Sequence, residues 1–209
     1  EDLEIVKYFE NLNNGFYVDV GCYHPVEVNN TYLLYKKNWK GINIDPNKFS
    51  IELFNFLRPD DLNYNLAISN KGGQGEFYYQ KKLSKLSTLK KAIAKGVFQE
   101  NFKTKKITTS RLSDLIDKTK FKNKKIDFLN VDAEGSDLDV LKSLNFDIYR
   151  PKIICVEIIT NPSLAPGYQF STVTKLEDSE IYKFLIKLNY SKTWSGVFSH
   201  VFADNFFIK

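Results

Sequence analysis

The sequence predicts an α/β fold: a mostly parallel sheet with helices on both faces. Three observations carry this expectation. Strand-like and helix-like stretches alternate along the 209 residues. The strand candidates are continuous apolar runs, the pattern of strands buried on both sides rather than on one. Two strand-like runs end the chain with no helix between them, which places an antiparallel hairpin at one edge of the sheet.

Taken in chain order, Phe16–Val20 is the first strand. Asn29, Asn30 and Thr31 then offer capping side chains to a helix through Tyr32-Leu33-Leu34-Tyr35. Lys40–Ile44 is the second strand, closed by Asp45-Pro46. Lys48–Leu57 carries Phe49, Leu53, Phe56 and Leu57 at helical spacing and stops before Pro59. Tyr64–Ile68 is the third strand, and Gly75–Tyr79 an extra one after the Gly72-Gly73 turn. A weak helical pattern covers Leu89–Val97, Ile107–Thr109 reads as a short strand, and Leu112–Ile116 starts a short helix. Ile126–Val131 is the fourth main strand, apolar except at Asp127 and Asn130. Ser136 caps a helix that buries Leu138, Val140, Leu141 and Leu144. Pro151–Ile159 is the fifth main strand. Ser179–Leu188 is an amphipathic helix with Ile181, Phe184, Leu185 and Leu188 on one face. Tyr190–Trp194 and Val201–Ile208 are the closing pair.

Composition fits one soluble globular domain over residues 1–209, with 43% hydrophobic and 26% charged residues. No stretch approaches the roughly 20 apolar residues of a membrane span. The opening Glu1-Asp2-Leu3-Glu4 has no charged-then-apolar leader pattern, and two cysteines, Cys22 and Cys155, make no disulfide framework. A reducing, cytoplasmic setting is expected. The charge is uneven. Lys71 to Lys125 holds 16 Lys/Arg against 4 Asp/Glu, whereas the remainder holds 14 against 21. Residues 71–125 therefore read either as a solvated surface insertion or as a basic rim that attracts an anionic acceptor. Aromatic residues do not interleave with these lysines as a nucleic-acid groove requires, so no nucleic-acid partner is expected.

In parallel sheets, ligands bind beyond the carboxyl ends of the strands, at a switch in strand order. Those ends are polar here. The first strand finishes at Asp19 and Gly21, the second at Asp45, the fourth at Asp132-Ala133-Glu134, and the fifth at Glu157. Each has a local alternative: Asp19 and Asp45 can cap turns, and Asp132 and Glu134 can cap the helix from Ser136. Acids ending four of the five main strands favour a single site. Asp45, about 20 residues past a glycine turn, suits a grip on ribose hydroxyls. Gly21 allows close backbone approach, and Asn65-Leu66-Ala67-Ile68 suits an adenine ring. The turn lacks further glycines and contains Pro25, so it is poorly built for a pyrophosphate. An adenosine cofactor without phosphates, S-adenosylmethionine, fits better.

The stretches "GFYVDVGCYHP", "GINIDPN", "NLAIS", "RLSDLID", "IDFLNVDAEGSDLDVLKSL" and "PKIICVEI" resemble, in order, the FkbM-type methyltransferases over roughly Gly15 to Ile159. The resemblance implies a class I methyltransferase (Rossmann-like) fold with a seven-stranded sheet, an antiparallel last strand and S-adenosylmethionine as cofactor. It puts Asp19, Gly21 and Cys22 on the first cofactor motif, Asp45 and Pro46 at the ribose, Ala67 near the adenine, and Asp132 and Glu134 on the most specific block. Family members often methylate hydroxyl groups of sugars, glycans or secondary metabolites. The chain departs from the family pattern at Tyr23-His24-Pro25, where a smaller, glycine-containing loop is usual, and at Asp137, where Glu is common.

For transfer to a hydroxyl, positioning supplies much of the acceleration and a base takes the proton. His24 and His200, the two histidines, are candidate bases. Alternatively, Asp132 and Glu157 are hard oxygen donors able to hold Mg2+ or Ca2+ against the acceptor. The expected partner is a small-molecule acceptor, such as an anionic or nucleotide-linked sugar. Two other readings stay open: a non-catalytic module that binds the cofactor, and a nicotinamide-dependent oxidoreductase.

Overall fold

The structure, a computed structural model, describes residues 1–161, 163, 165, 167–168 and 173–207. Its helices are α1 (Asp2–Lys7), α2 (Tyr32–Lys36), α3 (Lys48–Leu57), α4 (Lys91–Phe98), α5 (Leu112–Ile116), α6 (Asp137–Lys142), α7 (Phe146–Tyr149) and α8 (Glu180–Lys187). Its strands are β1 (Phe16–Val20), β2 (Lys40–Ile44), β3 (Leu62–Tyr64), β4 (Ala67–Ile68), β5 (Gly73–Tyr79), β6 (Lys103–Ser110), β7 (Phe128–Val131), β8 (Ile153–Glu157), β9 (Tyr190–Ser195) and β10 (Ser199–Asp204). Seven strands form one sheet in the order β3-β2-β1-β7-β8-β10-β9. β3, β2, β1, β7 and β8 pair in parallel, and β10 runs antiparallel to both β8 and β9. This is the Rossmann-like arrangement that the sequence predicts, closing hairpin included.

Two-residue periodicity divides the sheet's side chains between two cores. Phe16, Val18, Val20, Leu129, Val131, Ile154, Val156 and Phe202 join residues of α5, α6 and α8 on one face. Tyr17, Phe128, Ile153, Cys155, Val201 and Ala203 point the other way, against Ile5, Phe9, Leu34 and Trp39. Both faces are covered, which is why these strands read as unbroken apolar runs. The fit is close where Tyr17 of β1 lies opposite Gly41 of β2: a β-carbon on Gly41 would come within 2.0 Å of the Tyr17 ring.

Several boundaries differ from the sequence reading. Tyr64–Ile68 is not one strand. Leu62–Tyr64 pairs with β2, whereas Ala67–Ile68 leaves the main sheet and pairs with β6. The break falls at Asn65, whose side-chain amide donates to the Asp45 carbonyl at 3.0 Å. β4, β6 and β5 form a separate three-stranded sheet, of which β5 and β6 lie in the basic segment. β6 extends well beyond Ile107–Thr109 because its amino-terminal half, Lys103-Thr104-Lys105-Lys106, is mostly exposed and carries no apolar signal. Ser136 precedes α6 but makes no side-chain cap bond. Asp137, the first helical residue, instead ties down the turn before the helix, accepting from Ala133 N at 2.8 Å and Gly135 N at 3.0 Å. By contrast, α3 and α8 start as expected, with Asn47 and Ser179 accepting from Phe49 N and Ile181 N. The last strand ends at Asp204, and Ile208, in the expected run Val201–Ile208, lies outside the described residues. No described helix is long and apolar enough to cross a membrane.

Candidate active site

From β1, the neighbouring strand is β2 on one side and β7 on the other, so strand order reverses there. A cleft open to solvent lies beyond the carboxyl ends of these strands. Each strand end contributes: Val20 and Gly21 from β1, Asp45 and Pro46 after β2, Asp132 to Glu134 after β7. Leu66, Ala67, Ile68 and Phe77 give one apolar wall, and Ser84 to Leu89 of the basic segment bring Lys85, Ser87 and Thr88 to another.

Gly21 sets the floor. Its φ is +80°, and a β-carbon there would lie 1.8 Å from the Asp132 carbonyl oxygen. Its N–H donates to Ile44 O at 2.9 Å, and Asp132 N donates to Val20 O at 2.9 Å, so three strand ends are locked at this point. Cys22 also donates to Ile44 O, while its thiol packs on Ile51 and Phe54; burial pushes that thiol well up. Asp45 accepts from Tyr23 N at 3.0 Å on one oxygen and from Asn47 N at 2.7 Å on the other. Burial raises its carboxyl to about 6 against these two donors. Asp19 is wholly buried in the cleft floor. Its oxygens accept from Asn130 Nδ2 at 2.9 Å, Thr31 Oγ1 at 2.8 Å and Asn29 Nδ2 at 3.2 Å.

The acidic block after β7 opens on the cleft differently at each residue. Asp132 is exposed to the cleft, whereas Glu134 is buried and accepts a hydrogen bond from Tyr168. Glu157 is half-buried at the end of β8 and lies outside the cleft lining. Enclosure raises the carboxyls of Asp132, Glu134 and Glu157 well above their usual range, and their mutual repulsion and Asp137 raise them further. Tyr23, Val28 and Glu134, three non-glycine residues of the lining, adopt left-handed φ of 48–52°. Backbone strain of that kind concentrates at ligand sites.

The two histidines stand apart from this lining. His24 turns its Nδ1 back on its own loop, accepting from Val26 N at 3.2 Å and Glu27 N at 2.9 Å. His200 is buried, with Nδ1 at 3.0 Å from Ser195 Oγ and Nε2 at 3.1 Å from Ile158 O, and burial lowers its pKa. Among the described residues, no group of three or more His, Cys, Asp or Glu side chains is placed to hold a metal ion.

Several cleft residues lack a sequence signal of function. Asn30 and Asn130, joined at 3.0 Å, read as a helix cap and a strand polar residue. Lys85 is one of many lysines in its segment. Arg58, behind the cleft and outside its lining, follows an ordinary amphipathic helix. Ser136, read as a cap, is 3% exposed, lines the cleft and has an Oγ without any hydrogen-bond partner. A buried hydroxyl left open on a cleft wall fits a ligand that completes it.

The charge of the lining is lopsided. Among its described residues are the acidic side chains of Glu1, Asp19, Asp45, Asp132 and Glu134, against a single basic side chain, Lys85. Such a cleft suits a cation with hydroxyl groups and an apolar ring, and repels a pyrophosphate. A family model described as the methyltransferase FkbM domain matches residues 19–191. No curated protein matches the chain.

Proposed function

The chain belongs to the FkbM methyltransferase family, and from that premise we propose that it is an S-adenosylmethionine-dependent O-methyltransferase acting on a sugar, glycan precursor or related small molecule. The observation that carries the cofactor assignment is the acidic lining with one lysine at the strand-order switch. Bound there, the cofactor supplies an electrophilic methyl group on a positively charged sulfur.

Residues of the chain divide the work. Asp45 holds the ribose hydroxyls with the lone pairs that Tyr23 N and Asn47 N leave free. Leu66, Ala67, Ile68 and Phe77 enclose the adenine. Asp132 and Glu134 hold the cationic end by their field, and the Ser136 hydroxyl finds its missing partner on the ligand. Gly21 keeps the floor low enough for close approach. In this reading Asp132 also takes the acceptor's proton. It is exposed to the cleft with a raised pKa, whereas both His200 nitrogens are engaged and His24 Nδ1 faces its own loop. The competing route, Mg2+ held by Asp132 and Glu157, predicts loss of activity in EDTA; proton transfer to Asp132 predicts none.

The acceptor enters from the side that the basic segment covers. Lys85, from residues 71–125, is the cation placed to meet an anionic group such as the phosphate of a nucleotide-linked sugar. With such an acceptor, Lys85→Ala raises the acceptor KM about tenfold with little change in kcat, the size of one lost charge-assisted contact. Salt raises the wild-type KM in the same direction. An unchanged KM in both experiments would remove Lys85 and the anionic acceptor from the account. A mass gain of one methyl group on a sugar acceptor tests the reaction itself. Cofactor binding without transfer to any hydroxyl would favour the non-catalytic module instead.

A further inference from the structure

Arg58, just past the C-terminus of α3, is completely buried, and among the described residues no carboxylate lies within ion-pair distance of it. Its donors go to neutral groups. Nε donates to the Pro25 carbonyl at 2.9 Å, joined there by Nη2. Nη2 also reaches Asn29 Oδ1 at 2.7 Å, and Nη1 reaches Thr31 Oγ1 at 2.8 Å and, at 3.4 Å, the Tyr17 hydroxyl. The rings of Phe54, Tyr35 and Tyr32 surround the guanidinium at 4.9–5.6 Å. A buried guanidinium paired with no anion is costly unless its charge is answered nearby.

Two buried carboxyls lie one bond further on: Tyr17 donates to Asp61 on the side away from the cleft lining, and Asp19 answers on the cleft side. Thr31 Oγ1 and Asn29 Nδ2, the two groups attached to Arg58's neutral partners, both donate to Asp19 Oδ2, at 2.8 and 3.2 Å. Two neutral side chains thus relay a buried cation to a buried anion. The chain continues: Asn130 Nδ2 donates to Asp19 Oδ1 at 2.9 Å, and Asn30 Nδ2 donates to Asn130 Oδ1 at 3.0 Å. Asn29, Asn30 and Asn130 all line the cleft. Each of these amides could face either way in isolation; the fixed charges at the two ends of the relay determine which way each one points.

We propose that Arg58 is a positioning residue for the cofactor cleft: through Thr31 and Asn29 it holds Asp19 in place, and through Asp19 it orients the asparagine amides that the ligand meets. The inference rests on the cleft being the S-adenosylmethionine site. It also gives the loop from Cys22 to Thr31 a reason for its form. Arg58 grips the Pro25 carbonyl from behind, so the turn that departs from a glycine-rich loop is braced by a buried charge.

A mutant cycle read by cofactor affinity tests it. S-adenosylmethionine binding is measured for wild type, Arg58→Gln, Asp19→Asn and the double variant, with thermal melting to show that each is folded. Arg58→Gln is expected to weaken binding about tenfold alone and less than about twofold in the Asp19→Asn background, because the group it acts through is already neutral. Thr31→Val interrupts one arm of the relay without stranding Arg58. It is expected to cost about threefold alone and nothing further beside Asp19→Asn, and it decides the matter if Arg58→Gln does not fold. Effects that multiply in the double variants would overturn the inference, since a merely structural arginine is indifferent to the charge on Asp19. Failure of the wild type to bind would instead overturn the assignment of the cleft.

Discussion

Gly21→Ala destroys cofactor binding and destabilises the chain by about 4 kcal/mol, the sum of a left-handed backbone penalty and an overpacked contact. The contact is with backbone: the added carbon would lie 1.8 Å from the Asp132 carbonyl and 2.7 Å from its carbonyl carbon. No rotamer change relieves it. The ends of β1 and β7 would have to part, breaking the Asp132 N to Val20 O bond that fixes the cleft floor. Affinity for S-adenosylmethionine should fall more than about a hundredfold, because Gly21, Asp45 and Asp132 lose their mutual placement. Gly73→Ala is the matched control. Its φ is also positive, +132°, but nothing lies within 4 Å, so it incurs the backbone term alone. Urea unfolding of both variants separates the two terms; equal losses would show that the close approach to Asp132 is not what requires Gly21.

The second large effect belongs to Asp45. Asp45→Asn should weaken S-adenosylmethionine binding about 10- to 100-fold, the magnitude of one or two hydrogen bonds to a charged group. An asparagine cannot accept from both Tyr23 N and Asn47 N and still serve a ribose, since one of its two ends is a donor. The effect carries a pH signature. The folded-state pKa is raised to about 6 from 3.8, chiefly by burial. Below about pH 4 the group is protonated in folded and unfolded chains alike and costs nothing. Between about pH 4 and 6 the unfolded chain ionises first, so the free protein loses about 3 kcal/mol of stability from this group, fully by pH 7. Asp132, Glu134 and Glu157 are shifted in the same direction and add to the loss. A cationic ligand that needs Asp45 ionised therefore binds more tightly as pH rises through 6, and its thermal stabilisation of the protein grows with it. In Asp45→Asn that rise should shrink. A pH-independent affinity in the wild type would mean that Asp45 does not meet the ligand.

Much of this arrangement was legible in the sequence because the main sheet is buried on both faces. Its strands had to be apolar throughout, so any polar residue at an end stood out: Asp19, Asp45 and Asp132 are polar interruptions in otherwise apolar surroundings. Gly21 was legible for the same reason, as a turn directly after a strand. The small sheet was not, because β6 buries only part of one face and its lysines look like surface. The split of Tyr64–Ile68 depends on Asn65 reaching the Asp45 carbonyl, a contact between segments 20 residues apart that local pattern does not encode. Arg58 and Ser136 were missed because their roles come from what surrounds them. An arginine after a helix and a serine before one are ordinary caps or solvated residues until burial is known. The histidines show the converse. Rarity drew attention to His24 and His200, but both lie outside the cleft lining, with His24 Nδ1 turned to its own loop and both His200 nitrogens engaged.

The central claim is that the cleft beyond β1, β2 and β7 is built for a cationic adenosine cofactor, and calorimetric titration with S-adenosylmethionine and, separately, with NAD tests it most directly. The acidic lining and the low floor at Gly21 predict saturable binding of S-adenosylmethionine, lost in Gly21→Ala, with no binding of NAD. Binding of NAD without S-adenosylmethionine would contradict the account.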